Sequence, residues 1–289
     1  MRRFRIQLKY WFVIPSVAVM LVVLIFPLIY SLRISLFYYV LSKPTHRHFC
    51  WFDNYKNVLL NSQTYNALLV TLKFSFSAVF LELIFGFVLA YCLSKISYLR
   101  NAIMSTLMVP MMITPIAIGL IWRLLLHPEL GIVNYLLDII GIGGRPWLGS
   151  KSTALATVVL IDVWQWTPFM MIVLYAGLLS LPKEPFEAAI IDGATAWQQI
   201  YYLILPMLRN IITIAVVIRL IDLLRTYDLI YILTRGGPGA STETFSYYVF
   251  RLGFVNLDMG AASAASFLFV ILIAIATAFL LTRLRRGEG

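Results

Sequence analysis

Charge is what this chain has least of. Only 12% of its 289 residues are Asp, Glu, Lys or Arg, against 61% hydrophobic, and the mean hydropathy is +0.87. A water-soluble globular domain carries about twice that share of charge, so an ordinary soluble fold is excluded. Cysteine is nearly absent as well. The two present, Cys50 and Cys92, are expected at opposite sides of a membrane and imply no disulfide framework. Histidine is equally sparse, and no His, Cys or carboxylate spacing suggests a metal site; His46 and His48 read as solvated loop residues. The nearest approach to a phosphate loop is GRPWLGSKS, Gly144 to Ser152, where Ser150 stands in the place the Gly-Lys step requires of Lys. It reads as a turn, so ATP hydrolysis by this chain is excluded. The weak alternation of membrane-barrel strands is also missing.

What is present is long apolar runs. Six of them, near 11–32, 67–93, 102–126, 152–181, 206–232 and 261–282, are long enough to cross a hydrocarbon layer of about 30 Å. Each must be helical, because lipid offers no partner to unpaired backbone groups. The expected fold is all-α: one polytopic membrane domain, residues 1–289, of six transmembrane helices. The first run follows Arg2, Arg3, Arg5 and Lys9, lacks a small-residue cleavage site, and reads as an uncleaved anchor. With that end inside, the inner segments hold 11 Lys/Arg in 53 residues, against 8 in the longer outer segments 33–66, 127–151 and 233–260. This bias favours both termini in the cytoplasm. Attraction to anionic membrane lipid accounts for the net charge of +10, and no nucleic-acid groove is implied. Residues 129–141 are too short to span and read as an outer interfacial helix.

Polar groups inside the runs stand out because lipid tolerates them poorly. In the fifth run Arg219, Asp222, Arg225 and Asp228 recur at a spacing of three, with Tyr227 and Tyr231 beside them. That face is either a seam of structural ion pairs or a solute path. In the fourth run Asp162 and Gln165 share a face, while Trp164 and Trp166 are either interfacial anchors or flat platforms for a sugar ring. The path candidates are Gln165, Trp166, Asp222, Arg225, Tyr227 and Asp228. Glu82 stands isolated in the second run, where a paired or snorkelling structural role is the plainer reading. Pro110, Pro115 and Pro168 are expected to kink their helices.

One connection is unusual. Residues 182–205 contain EPFEAAIIDGATAWQQIYYLIL, which reads as two short amphipathic helices joined at Gly193. Pro182 and Pro185 suit a first helical turn. Phe186, Ala189, Ile190 and Gly193 make one stripe at helical spacing, and Gly193 permits a sharp reversal. Ala196, Trp197, Ile200 and Tyr201 continue into a second helix, with Pro206 opening the fifth run. The pair is either an anchor on the inner leaflet or a helix pair shaped for a partner's groove. Glu187 and Asp192, which an anionic leaflet would repel, favour the groove.

Glu187-Ala188-Ala189, Asp192-Gly193-Ala194 and Leu205-Pro206 resemble the EAA loop of binding-protein-dependent ABC importer permeases. LIWRLL (120–125), DVWQWTPFMM (162–171), AGLLSLPKE (176–184), YDLIYILTRGGPG (227–239) and TETFSYYVF (242–250) are similar to the sugar branch, of maltose and glycerol-phosphate type. The TRGGPG loop resembles the first of its two permease partners. Ile200 and Asn210 depart from the residues usual there, Phe and Pro. The resemblance implies a heterodimer with a second permease subunit, two ATPase subunits that bind ATP and Mg, and an extracytoplasmic solute-binding protein. It implies no cofactor in this chain and no enzymatic activity of its own. Glu187, Ala188, Ala189, Asp192, Gly193, Ala194 and Pro206 would form the ATPase-coupling site, in the cytoplasmic membrane of a bacterium or archaeon. The cargo implied is a sugar or, alternatively, a non-sugar solute such as a glycerol phosphate. Two other classes compete: an ion-coupled secondary transporter, which would normally show paired repeats with broken helices, and a structural or sensory subunit, which would not need the intramembrane charges.

Overall fold

The computed structural model describes residues 2–285. Apart from one two-stranded ladder, its regular elements are helices. Five of them are long and apolar enough to cross a membrane, or six if one bent pair counts as a span. Contacts group the chain into two units.

One unit takes the residues up to Thr64 together with Val249–Ile271. Helix α1 (Arg2–Ser35) is apolar on all sides, and its side chains from Tyr10 to Tyr30 are exposed, as expected of a helix whose solvent is lipid. Strands β1 (Phe37–Tyr38) and β2 (His48–Phe49) pair antiparallel after it. Helix α2 (Asp53–Leu60) is stitched to this exit by Asn54, whose Nδ2 donates to the carbonyls of Ser35 and Phe37 at 2.8 Å each. His46 and His48 are exposed, as the sequence suggests.

The other unit takes Tyr65–Tyr248 and the residues from Leu272. Most of α3 (Ser62–Lys95) belongs to it, followed by α4 (Arg100–Met112), α5 (Pro115–Leu125) and α6 (Ile132–Ile139). Next come α7 (Ala154–Leu179), α8 (Glu184–Ile191), α9 (Ala196–Gln199), α10 (Leu205–Leu224) and α11 (Asp228–Leu233), and α12 (Phe245–Phe250) begins in this unit. Helix α13 (Met259–Arg285) closes the chain. The centre is α7, two-thirds of whose most apolar stretch is buried, against none of that of α1. Small residues let its neighbours approach, as packing in lipid requires. A Cβ on Gly86 of α3 would lie 2.6 Å from the Met170 Cβ, and one on Gly177 would meet Leu208 and Ile211 of α10 at 2.9 Å. Ala90, Leu93, Met171, Leu174 and Tyr175 form the apolar core there.

Two expected spans differ from the sequence reading. The run 102–126 is a pair of helices bent by 93° between Met112 and Pro115. Thr114 precedes a proline and is therefore extended, with ψ 143°, so α4 cannot continue into α5. The run 206–232 ends its helix at Leu224, and α11 starts afresh at Asp228. At its other end α10 does not begin with Pro206. A π turn over Ile200–Ile204 joins α9 to α10, so one helix runs from Ala196 to Leu224. The wide turn just before Pro206 accommodates a residue that has no N–H to give and whose ring crowds the preceding turn. Helix α7 continues through Pro168 without a break. Residues 132–139 are helical, and Gly144–Ser152 is a turn entering α7, with the Ser150 N–H bonded to the Pro146 carbonyl at 3.2 Å.

Candidate functional site

The charged residues of the fifth run do not share one helical face, because the helix breaks among them. The break is held by backbone and hydroxyl bonds. The Arg225 and Thr226 N–H groups turn back to Asp222 and Leu223, and the Thr244 hydroxyl donates to the Thr226 carbonyl at 3.0 Å. The Ser246 hydroxyl reaches the Leu224 carbonyl at 3.5 Å. The break nonetheless gathers all six path candidates. Gln165, Trp166, Asp222, Arg225, Tyr227 and Asp228 line one polar cavity of about 330 Å³, with Asp162, Arg219 and the N-terminus of α5 completing its wall.

Asp162 and Arg219 of that wall belong to a buried ionic triad. Arg219 of α10 donates twice to Glu82 of α3, at 2.8 and 2.9 Å, and once to Asp162 of α7, at 2.5 Å. Arg219 is 2% exposed and Glu82 0%. Glu82 is therefore not the isolated residue the sequence suggested. A guanidinium can serve two carboxylates because its donors form a planar fork, and in a lipid-embedded core each charge needs such a partner. The sequence signal was available: opposite charges in separate apolar runs must find one another. Arg219 also stacks on the Trp166 ring, with Cζ 4.8 Å from the centroid, so one face of that ring is already occupied. Trp164 takes no part in the cavity. It packs edge-on against Trp122, with centroids 5.5 Å apart. Gln165 serves the bent pair, since its Nε2 donates to the Ile113 carbonyl freed at the α4–α5 break, at 3.0 Å. Its Oε1 is buried with no hydrogen-bond partner. Among the described residues Asp222, Arg225 and Asp228 form no ion pair.

The second candidate region is the connection between α7 and α10. Helix α8 closes with its Gly193 N–H bonded to the Ile190 carbonyl and its Ala194 N–H to the Ala189 carbonyl, at 3.1 and 2.9 Å, and Gly193 has φ +74°. This is a Schellman turn, which needs a left-handed residue at the position Gly193 holds. Space is not what requires glycine there, because a Cβ at 193 would meet nothing within 4 Å. Thr195 then caps α9 reciprocally with Gln198, the Thr195 N–H donating to Oε1 at 2.7 Å and the Gln198 N–H to Thr195 Oγ1 at 3.3 Å. The hairpin holds a cleft of about 340 Å³ lined by Ala189, Asp192, Gly193 and Ala194 on one side and Gln198, Gln199, Tyr202 and Leu203 on the other. Around it Ile190, Ile191, Trp197, Tyr201 and Tyr202 are all more than 60% exposed. Glu187 and Ala188 are exposed on the first helix, and Pro206 is exposed beyond the π turn.

Residues 82–287 match the family described as binding-protein-dependent transport system inner membrane component. The chain belongs to that family. It is 40% identical over 289 residues, 100% of this chain and 93% of its relative, to a probable ABC transporter permease protein, y4oQ, of Sinorhizobium fredii. It is 35% identical over 268 residues, 92% of this chain and 90% of the relative, to the trehalose/maltose transport system permease protein MalF of Thermococcus litoralis. In fold it is similar to a chain of a bacterial ABC transporter involved in the import of the acidic polysaccharide alginate. The TM-score is 0.84 at 23% identity, covering 98% of this chain and 96% of that one. The permease is thus an inner-membrane component of a binding-protein-dependent transport system and not itself an enzyme. Sequence reasoning missed Thr244 and Ser246, which hold the α10–α11 break, and saw Gln165 only as a path candidate and not as the residue that serves the α4–α5 bend.

Proposed function

We propose that this permease passes a sugar or sugar-like solute from an extracytoplasmic binding protein to the cytoplasm by alternating access. In this reading it is the first of two permease subunits in a heterodimer, with both termini cytoplasmic. Its α8–α9 hairpin docks into a groove on one of two ATPase subunits, which hold the ATP and Mg. Glu187 makes a charge-assisted contact there, and Ala188, Ala189, Asp192, Gly193 and Ala194 form the close-fitting turn. The trehalose/maltose permease MalF supports a sugar as cargo; the alginate transporter, an importer of an acidic polysaccharide, leaves the charge of that cargo open.

The observation that carries this reading is the continuous helix Ala196–Leu224. It begins in the exposed hairpin and ends at the wall of the polar cavity, 29 residues later, which at helical rise is about 40 Å. A push on the hairpin by an ATPase that closes on ATP therefore arrives at Arg219 and Asp222 as motion of a rigid rod. Glu187→Ala and Gly193→Val test this. A charge-assisted hydrogen bond is worth about 1.5–3 kcal/mol, so losing it weakens docking roughly tenfold or more. A β-branched residue is strained at φ +74°. Both variants should insert normally, lose the ATPase on purification and lose uptake. If the ATPase co-purifies undiminished and substrate-stimulated hydrolysis is unchanged, the hairpin is a leaflet anchor.

A further inference from the structure

We infer that the polar cavity is a charge filter that admits neutral polyhydroxylated solutes and rejects anionic ones. This rests on the permease reading above. The groups that set the field are Glu82, Asp162 and Arg219 in the triad, and Asp222, Arg225 and Asp228 on the open wall. Four carboxylates stand against two guanidinium groups: Arg219 is paired with two of them, and Arg225 shares the open wall with Asp222 and Asp228. The sign does not depend on the protonation of the triad. If one proton makes Glu82, Asp162 and Arg219 neutral as a set, Asp222 and Asp228 still outnumber Arg225.

The hydrogen-bonding groups have the same bias. Gln165 is 1% exposed, lines the cavity and keeps a buried Oε1 without a partner. The amide cannot turn to present nitrogen instead, because its Nε2 already donates to the Ile113 carbonyl. The acceptor is therefore fixed, and whatever satisfies it, a water or a solute, must bring an O–H or N–H donor. Asp222 and Asp228 are acceptors as well. Arg219 has its Nε and Nη2 committed to carboxylates and its face to Trp166, which leaves Arg225 as the cation of the open wall, outnumbered there by Asp222 and Asp228. A sugar hydroxyl donates to such acceptors, whereas a carboxylate, sulfate or phosphate brings only acceptors and like charge. Across several ångströms at intermediate dielectric, one unit of like charge is worth about an order of magnitude in binding.

The test uses the assembled complex, with its partner permease and ATPase subunits, in nanodiscs without the binding protein. Equilibrium binding is measured for a panel of neutral glucose disaccharides and for the same disaccharides oxidised at C6 to uronates. At least one neutral disaccharide should bind about tenfold or more tightly than its uronate, and the double variant Asp222→Asn, Asp228→Asn should erase most of that ratio. Equal or tighter binding of the uronates overturns the filter, as does a ratio unchanged in the double variant or a complex that retains its ATPase but binds no disaccharide. Each of these leaves the permease reading standing. Failure of the wild-type chain to hold an ATPase at all overturns both.

Discussion

Arg219 carries more of this molecule than any other residue, since three helices meet on one guanidinium. Removing one partner of a buried pair leaves an uncompensated charge, which costs about 3–5 kcal/mol, far more than the pair contributes in net terms. Arg219→Ala strands two carboxylates and should sharply lower both the yield and the thermal midpoint in detergent. Glu82→Gln keeps the shape and leaves Arg219 balanced by Asp162, so its loss should be clearly smaller. Tryptophan fluorescence during heating separates the two; equal midpoints would mean that the triad is not the joint described here. Gly193 offers a second residue-scale contrast. Because its requirement is φ +74° and not space, Gly193→Asn should keep most ATPase binding, and Gly193→Val should not.

At the scale of elements, two helix breaks shape the cavity, and they differ in how far the sequence revealed them. Pro115 marks the first openly, because a proline forces the residue before it into extended backbone. Even so, a single kinked span was expected and a 93° bend is found, since nothing local to residues 102–126 reports the Gln165 side chain that satisfies the Ile113 carbonyl. The second break has no glycine or proline at 224–228. Its carbonyls are satisfied by hydroxyls about twenty residues downstream, on Thr244 and Ser246, and an apolar run of the right length simply reads on as helix. The Schellman turn at Gly193 was legible because its determinants are local. Six of the residues that line the cavity were singled out from their chemistry, as polar groups in apolar runs, although the face expected to unite those of the fifth run does not exist. Thr244→Val, which keeps the shape and removes the donor, leaves the Thr226 carbonyl unpaired at a cost of about 1–3 kcal/mol. It should loosen the cavity wall and weaken solute binding while ATPase docking is unchanged. Unaltered binding would show that the break holds without its cap.

For the whole molecule, the proposed function amounts to a division of labour: a cavity and a lever in this chain, and the energy source in a separate ATPase. Among the described residues no group of His, Cys, Asp and Glu could hold a metal ion, and the near-miss phosphate loop is a turn packed on Asn134 through the Trp147 indole N–H, at 2.7 Å. The intramembrane charges are the feature an ion-coupled transporter would use, so that alternative has to be met directly. In the triad both acidic groups are bonded to Arg219, with hydrogen bonds at 2.8 and 2.9 Å to Glu82, an arrangement that fixes helices in place. A proton or sodium ion cycling through the triad would have to break these bonds at each turn. Purified chain in liposomes, given a proton or sodium gradient and no ATP, should accumulate none of the disaccharides tested. The same liposomes with the partner permease, the ATPase subunits, internal ATP and external binding protein should accumulate at least one. Gradient-driven uptake by the chain alone would show that the charged wall is an ion path, and that the lever from Ala196 to Leu224 is not what drives transport.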